Sequence, residues 1–300
     1  MSGPQRLPHP PPPLEPRPAL TVLEVLRRST RHLAAGGFET PRLDAELLLA
    51  HALQLARIDL YVQFERPLDE ADLARIRPLL AARAQGRPVA QLVGEREFYG
   101  LPFLVDEHVL IPRPESELLV ELALRLAPAA ERAADLGCGS GCLGIAIAEH
   151  LPQIHFDLVE REPGAAEVAR RNVAWHGVGA RVEVLEGSWT APLAGRGPYQ
   201  LLVSNPPYVT TSEWSRLDRS VRDFEPRLAL DGGEDGLGPY RELLPQLRPV
   251  AAPGAVVLLE GDPGRLAEVE RLAGQALAGA ETVRHLDLSG RERVLEVRLP

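Results

Sequence analysis

Arg132-Ala133-Ala134-Asp135-Leu136-Gly137-Cys138-Gly139-Ser140-Gly141-Cys142-Leu143 passes from a short apolar strand pattern, through three glycines, into the start of a helical pattern. Glycines at such a junction let the backbone approach a ligand closely and set helix amide groups against it. The three alternate at every second position, whereas the dinucleotide fingerprint places two further residues before its third glycine, so a nicotinamide site is a poor match. No Gly-Lys-Ser/Thr follows and the chain contains no Lys, which excludes a Walker loop. A strand that opens through a glycine loop into a helix is the opening unit of a doubly wound sheet.

Downstream of it, helix-like and strand-like segments alternate: 142–150, 154–160, 165–175, 181–185, then a strand over 201–204, a long polar loop, a helix near 237–247, a strand over 255–260, a helix over 266–277, and segments near 283–288 and 293–298. This alternation predicts an α/β fold with a doubly wound sheet. Upstream, 115–126 has helical spacing with Leu118, Leu119, Leu122 and Leu126 inward, and residues 98–105 alternate and turn like a hairpin. Earlier still the periodicity is purely helical: Leu23, Leu26 and Leu33; Leu43, Leu47, Leu48 and Leu55 after Pro41; Leu73, Ile76, Leu79 and Leu80 after an Asp69 N-cap. Residues 1–18 hold eight prolines and almost nothing that could pack, which predicts a disordered tail. The expected organisation is therefore a tail over 1–18, a helical domain over 19–88, a hairpin linker over 89–112 and an α/β domain over 113–300.

The formal charge of −9 argues against a surface that grips nucleic acid by its phosphates. All 33 basic residues are Arg, which with the abundant Ala, Pro and Gly is a composition bias rather than a functional signal. Cys138 and Cys142 make no disulfide framework and, lacking nearby His or further Cys, no zinc site, so no metal is expected. Without an apolar run of about 18 residues or the apolar core of a signal peptide, a cytoplasmic protein with no membrane partner is expected.

A second stretch carries chemistry. Asn205-Pro206-Pro207-Tyr208 follows the apolar run 199–204, where a strand of a parallel sheet opens into a loop. Two prolines remove two backbone donors and leave the carbonyls around them free to accept from a ligand. Asn205 adds a side-chain acceptor and Tyr208 an aromatic face, a combination suited to a planar group carrying an NH2, such as an amide or an amino-heterocycle. With Asp135 in front, the glycine loop Gly137, Cys138, Gly139, Ser140 and Gly141 fits one curving round the amino-acid end of S-adenosylmethionine. Glu160, 19 residues past Gly141, either takes two ribose hydroxyls or is a solvated strand-end carboxylate. Trp189 either lines an adenine pocket or packs within its own loop.

With both stretches in place, the chain resembles the protein-glutamine N5-methyltransferases, and within them the peptide-chain release-factor branch known as PrmC or HemK. The resemblance covers residues 20–298. It is marked by Arg96-Glu97-Phe98-Tyr99, by Ile111-Pro112-Arg113-Pro114-Glu115-Ser116-Glu117, by Glu225-Pro226-Arg227-Leu228-Ala229-Leu230 and by Gly232-Gly233-Glu234-Asp235-Gly236. The Asn-Pro-Pro-Tyr tetrad alone is shared with adenine-N6 DNA methyltransferases; joined to the Pro-Arg-Pro-Glu-Ser-Glu segment it is far more specific. A sister branch that modifies a glutamine of a large-subunit ribosomal protein usually differs after its Pro-Arg.

The resemblance implies a Rossmann-like class I methyltransferase with a seven-stranded, mostly parallel sheet behind a helical docking domain. It implies S-adenosyl-L-methionine bound by Gly137 to Gly141, Glu160, Trp189 and Asn205. The substrate glutamine would be held by Asn205, Pro206, Pro207 and Tyr208, with Asn205, Pro206 and Tyr208 closest to the chemistry. Class I release factors would be the protein substrate and a monomer the working form. One departure stands out: where the family tends to show Glu, an apolar residue, Gly and, three positions on, Gln, this chain has Glu260, Gly261, Asp262 and Arg265, which leaves the conformation of that loop open. An adenine-N6 methyltransferase would need a basic face and a target-recognition domain, and a non-catalytic adaptor would be expected to have lost the tetrad.

Overall fold

The computed structural model describes residues 20–300, so the segment expected to be disordered over 1–18 lies outside the described residues. The chain divides between Gln85 and Gly86 into two compact units.

The first unit contains α1 (Val22–Ala35), α2 (Pro41–Leu53), α3 (Arg57–Val62) and α4 (Glu70–Ala84). Their ends are fixed by local chemistry. The Thr21 hydroxyl and Glu24 carboxylate form a reciprocal capping box on α1, and Asp69 accepts the Asp72 amide at 2.8 Å to start α4. Val22, Val25, Leu26 and Leu33 from α1, Ala45, Leu49 and Leu53 from α2, Leu60 and Ile76 build one apolar core. Three leucines expected inward differ: Leu23 and Leu47 are half-buried and stand outside this core, and Leu43 is 39% exposed. The inward position beside Leu43 belongs instead to Asp44, whose charge is neutralised by Arg83 at 2.7 Å.

The second unit begins with α5 (Val89–Val93) and the hairpin of β1 (Glu95–Phe98) with β2 (Leu101–Leu104), closed by Tyr99-Gly100 with both residues at positive φ. A 3-10 turn, Pro114–Ser116, leads into α6 (Glu117–Leu126). Then follow β3 (Arg132–Leu136), α7 (Cys142–His150), β4 (His155–Glu160), α8 (Pro163–Trp175), β5 (Val182–Glu186) and β6 (Tyr199–Ser204). The stretch expected as a long polar loop instead holds α9 (Thr211–Trp214), α10 (Arg219–Arg222) and a 3-10 turn, Arg227–Ala229. Thr210 and Asp218 cap the two short helices. The unit closes with α11 (Gly238–Leu247), β7 (Ala251–Glu260), α12 (Leu266–Ala276), β8 (Glu281–Leu286) and β9 (Glu292–Arg298).

The sheet runs β5-β4-β3-β6-β7-β9-β8, parallel through β7, with β9 inserted antiparallel between β7 and β8. Strand side chains alternate between two cores. Ala133, Leu158, Leu201, Val203, Val256 and Leu258 pack under the layer holding α6 and α7, while Ala134, Val159, Leu202, Val257 and Leu259 pack under α11 and α12. Burial on both faces explains the apolar runs 201–203 in β6 and 255–259 in β7, while β3 and β4 carry the buried Asp135 and Asp157. Among the described residues no helix is long and apolar enough to cross a membrane.

Candidate active site

Connections leave β3 and β6 in opposite directions, which makes the carboxyl ends of these two strands the switch point where open α/β sheets bind ligands. The ends are tied by the Ser204 hydroxyl, which donates to the Leu136 carbonyl at 2.5 Å. A cleft of about 340 Å³ opens above them, within the size range of small-molecule sites.

One lip is the glycine loop. Gly137, Gly139 and Gly141 all have positive φ, a path that L side chains rarely follow. Beneath it Asp135 is fully buried; its Oδ2 accepts the Gly144 amide at 3.3 Å and its Oδ1 has no partner. Burial pushes its carboxyl up to about 7, opposed by the Gly144 amide and reinforced by the charge of Glu160. Glu160, at the end of β4, is a brace as well as a wall. Its Oε2 accepts the Gly139 amide at 2.9 Å and its Oε1 the amides of Arg161 and Glu162 at 2.8 and 2.9 Å, so it is neither solvated nor idle. Trp189 stands over Gly137, with its indole N–H donating to Glu242 at 3.1 Å. Cys138 and Cys142 line the same wall; burial raises both thiols, Cys142 to about 12, which makes them inert fillers.

The opposite lip is Asn205-Pro206-Pro207-Tyr208. Among the described residues no donor reaches the main-chain carbonyls of Asn205 or Pro206. The Asn205 NH2 donates to the Ser116 hydroxyl oxygen at 3.0 Å, Ser116 donates to Glu260 at 2.6 Å, and the Tyr208 hydroxyl donates to the other Glu260 oxygen at 3.2 Å. The Gly232–Gly236 turn supports this lip from below: a methyl on Gly232 would lie 2.8 Å from the Tyr208 Cα, and one on Gly236 2.4 Å from the Tyr208 carbonyl oxygen.

Of the residues singled out in the sequence, Gly137, Cys138, Gly139, Ser140, Glu160, Trp189, Asn205 and Pro207 line this cleft. Gly141, Pro206 and Tyr208 stand outside its lining. Gly141 caps α7 against Leu158, Pro206 is buried, and Tyr208 packs on the core and points its hydroxyl at Glu260. Glu225 accepts the Ile111 amide at 3.0 Å and Arg113 at 2.5 Å, clamping the Pro-Arg-Pro segment; Glu117 accepts the Tyr99 amide, and Glu115 is exposed. The loop after Glu260 is held by Arg265, which reaches the Tyr208 carbonyl at 3.5 Å and pairs with Glu213 at 2.5 Å.

Three polar residues at the site were not assigned a role from sequence. Ser116 and Glu260 meet across 144 positions, a contact no local pattern announces. Asn172, fully buried in α8, accepts the Leu104 amide and donates to the Leu104 and Ser140 carbonyls, joining β2 to the glycine loop. The one signal for it was a carboxamide on the otherwise apolar inward face of α8.

A parallel sheet closed by a reversed strand, with a ligand cleft at its switch point, defines a Rossmann-like class I methyltransferase. The comparisons agree. Residues 114–225 match the Methyltransferase small domain family and residues 24–94 the PrmC N-terminal domain family. The catalytic domain of hMettl16, solved in complex with the MAT2A 3′UTR hairpin 6, shares the fold at a TM-score of 0.52 and 17% identity, over 73% of this chain and 81% of that one. The release factor glutamine methyltransferase of Geobacter sulfurreducens is 45% identical over 80% of this chain and 84% of its own length. That of Chlorobaculum tepidum is 40% identical over 88% and 92%. The chain belongs to the release factor glutamine methyltransferase family.

Proposed function

We propose that the protein transfers a methyl group from S-adenosyl-L-methionine to the side-chain amide nitrogen, N5, of the glutamine in the Gly-Gly-Gln motif of class I peptide chain release factors, in the cytoplasm and as a monomer. The observation that carries this reading is the cleft itself: Asn205, beside two unpaired carbonyls, faces a glycine loop that has an orphaned carboxylate oxygen beneath it.

The residues present suit the donor. Asp135 would answer its ammonium group, Glu160 its ribose hydroxyls through lone pairs the amides leave free, and Trp189 with the Gly137 to Gly141 loop its adenine and main chain. Bound S-adenosyl-L-methionine supplies a methyl on a positively charged sulfur and leaves as S-adenosyl-L-homocysteine. The chain's own contribution is positioning, because a carboxamide nitrogen, its lone pair delocalised, is a weak nucleophile. The Asn205 oxygen and the Pro206 carbonyl would each accept one N–H of the glutamine and turn its nitrogen to the methyl at about 3 to 3.5 Å. Tyr208, pinned to Glu260 by its hydroxyl and outside the cleft lining, would hold the lip in place rather than stack on the amide plane. With the donor bound, the methyl would pass to the nitrogen with the carbon–sulfur electron pair left on sulfur, and the amide proton would pass to water, so no strong base would be needed.

The first unit is the proposed docking domain within the expected 19–88 boundaries, joined through 89–112 to the catalytic part over 113–300. Its exposed apolar side chains Leu43, Ile58, Tyr61 and Val62 support that assignment. Asn205→Ala tests the reading. The turnover number should fall roughly a hundred- to thousandfold, by analogy with losing one oxyanion-hole donor, while KM for the release factor stays put. Wild-type turnover by Asn205→Ala would remove Asn205 from the chemistry.

A further inference from the structure

We propose that Ser116 and Glu260 form a positioning relay that fixes which way the Asn205 carboxamide faces, so that its oxygen and not its NH2 is offered to the substrate amide. The inference rests on Asn205 being the acceptor for the glutamine NH2. The two ends of a carboxamide have nearly the same size, so shape does not choose between them; hydrogen-bond partners must.

Glu260 sits at the end of β7, 1% exposed, and receives a hydroxyl on each oxygen, Ser116 at 2.6 Å and Tyr208 at 3.2 Å. Each oxygen thus has a hydroxyl placed to donate to the ionised acid. Burial, with the charge of Glu115, raises its carboxyl above the usual range, and the Ser116 hydrogen bond, the Arg293 guanidinium and the Tyr208 hydrogen bond offset only part of that rise. A carboxylate only accepts, so the single Ser116 proton is committed to Glu260. What Ser116 has left is lone pairs, and the Asn205 NH2 meets them at 3.0 Å. Turned the other way, the Asn205 oxygen would face those lone pairs with no proton between them. That orientation loses a hydrogen bond and adds repulsion.

Polarity set by a buried charge is thus carried through one hydroxyl to the amide at the cleft. The relay also gives the Pro-Arg-Pro-Glu-Ser-Glu segment a purpose: Glu225 clamps Ile111 and Arg113, and the 3-10 turn that follows delivers the Ser116 hydroxyl to a point between two strand ends. Ser116 and Glu260 touch no reacting atom in this scheme. They are positioning residues.

The test measures kcat, KM for the release factor, donor Kd and melting temperature for Ser116→Ala, Ser116→Thr, Glu260→Gln and the double variant Ser116→Ala/Glu260→Gln, beside Asn205→Ala. Ser116→Ala should lower kcat about tenfold, the worth of one hydrogen bond, with KM and Kd within about threefold of wild type. Ser116→Thr, which keeps a hydroxyl, should stay within about threefold in kcat. In the Ser116→Ala background the further change Glu260→Gln should cost nothing more in kcat, because the chain it belongs to is already cut. Wild-type kcat in Ser116→Ala, a Thr variant as slow as the Ala variant, or losses that multiply in the double variant would overturn the relay. An Asn205→Ala enzyme at full rate would instead overturn the reading on which the relay rests.

Discussion

Asp135 is a carboxyl kept where its charge is costly. In the unfolded chain it ionises in the ordinary aspartate range, whereas in the fold it holds its proton to about 7. Between those values the folded state carries the extra proton, so stability falls as pH rises through that window and levels off above it. Asp135→Asn should therefore gain melting temperature relative to wild type between about pH 5 and about pH 8, and lose affinity for the methyl donor. Calorimetric scans of the cofactor-free protein at both pH values check the first, and a titration the second; a difference that does not change with pH would mean that Asp135 is ionised throughout. Glu160→Ala should raise the donor's Kd at least tenfold, since each charge-assisted bond is worth roughly 1.5 to 3 kcal/mol and the Gly139 amide loses its acceptor as well. An unchanged Kd would leave Glu160 as a brace of the loop alone. Glu160 and Asn205 were legible in the sequence because each lies at a fixed short distance from a strand end. Ser116 was visible only as a letter in a motif, since its partners Asn205 and Glu260 lie 89 and 144 positions away.

Among elements, the excursion between β6 and α11 backs the Asn205–Tyr208 lip. It was legible only as a polar loop because helices of four residues, such as α9 and α10, leave no periodicity to detect. Its Gly-Gly-Glu-Asp-Gly segment was visible as a mark of family, yet the reason for it is steric: Gly232 and Gly236 lie directly against the Pro207-Tyr208 backbone. Gly236→Ala should be destabilising by roughly 1 to 2 kcal/mol for a left-handed residue alone, and should slow turnover because the added methyl displaces the Tyr208 carbonyl. Thermal melting and kcat report the two effects; a variant with wild-type values of both would show that the lip tolerates movement. The central strands β6 and β7, by contrast, were readable from their buried apolar runs, although β7 begins four residues before the expected 255; β4 carries a buried Asp157 and the edge strand β5 mixes apolar and charged residues. Leu43 misled for the opposite reason, since its inward neighbour on α2 is a charged residue with a partner 39 positions away.

For the molecule as a whole, the division into a helical unit and a methyltransferase unit separates recognition from chemistry in the proposed function. Ile58 and Val62 stand one turn apart on α3, 68% and 81% exposed. Replacing both with Ser should raise KM for the release factor about tenfold, within the worth of two buried aliphatic side chains, and leave kcat and the donor's Kd unchanged. Equal KM values would move the docking surface elsewhere. The central claim, transfer to one glutamine of a release factor, is tested most directly by mapping the methyl by mass spectrometry after incubation with S-adenosyl-L-methionine and either a class I release factor, the same factor with its Gly-Gly-Gln glutamine replaced, a large-subunit ribosomal protein or DNA. The expected result is one added methyl on that glutamine and none on the other three; methyl on the ribosomal protein, on adenine, or on the factor lacking its glutamine would contradict it.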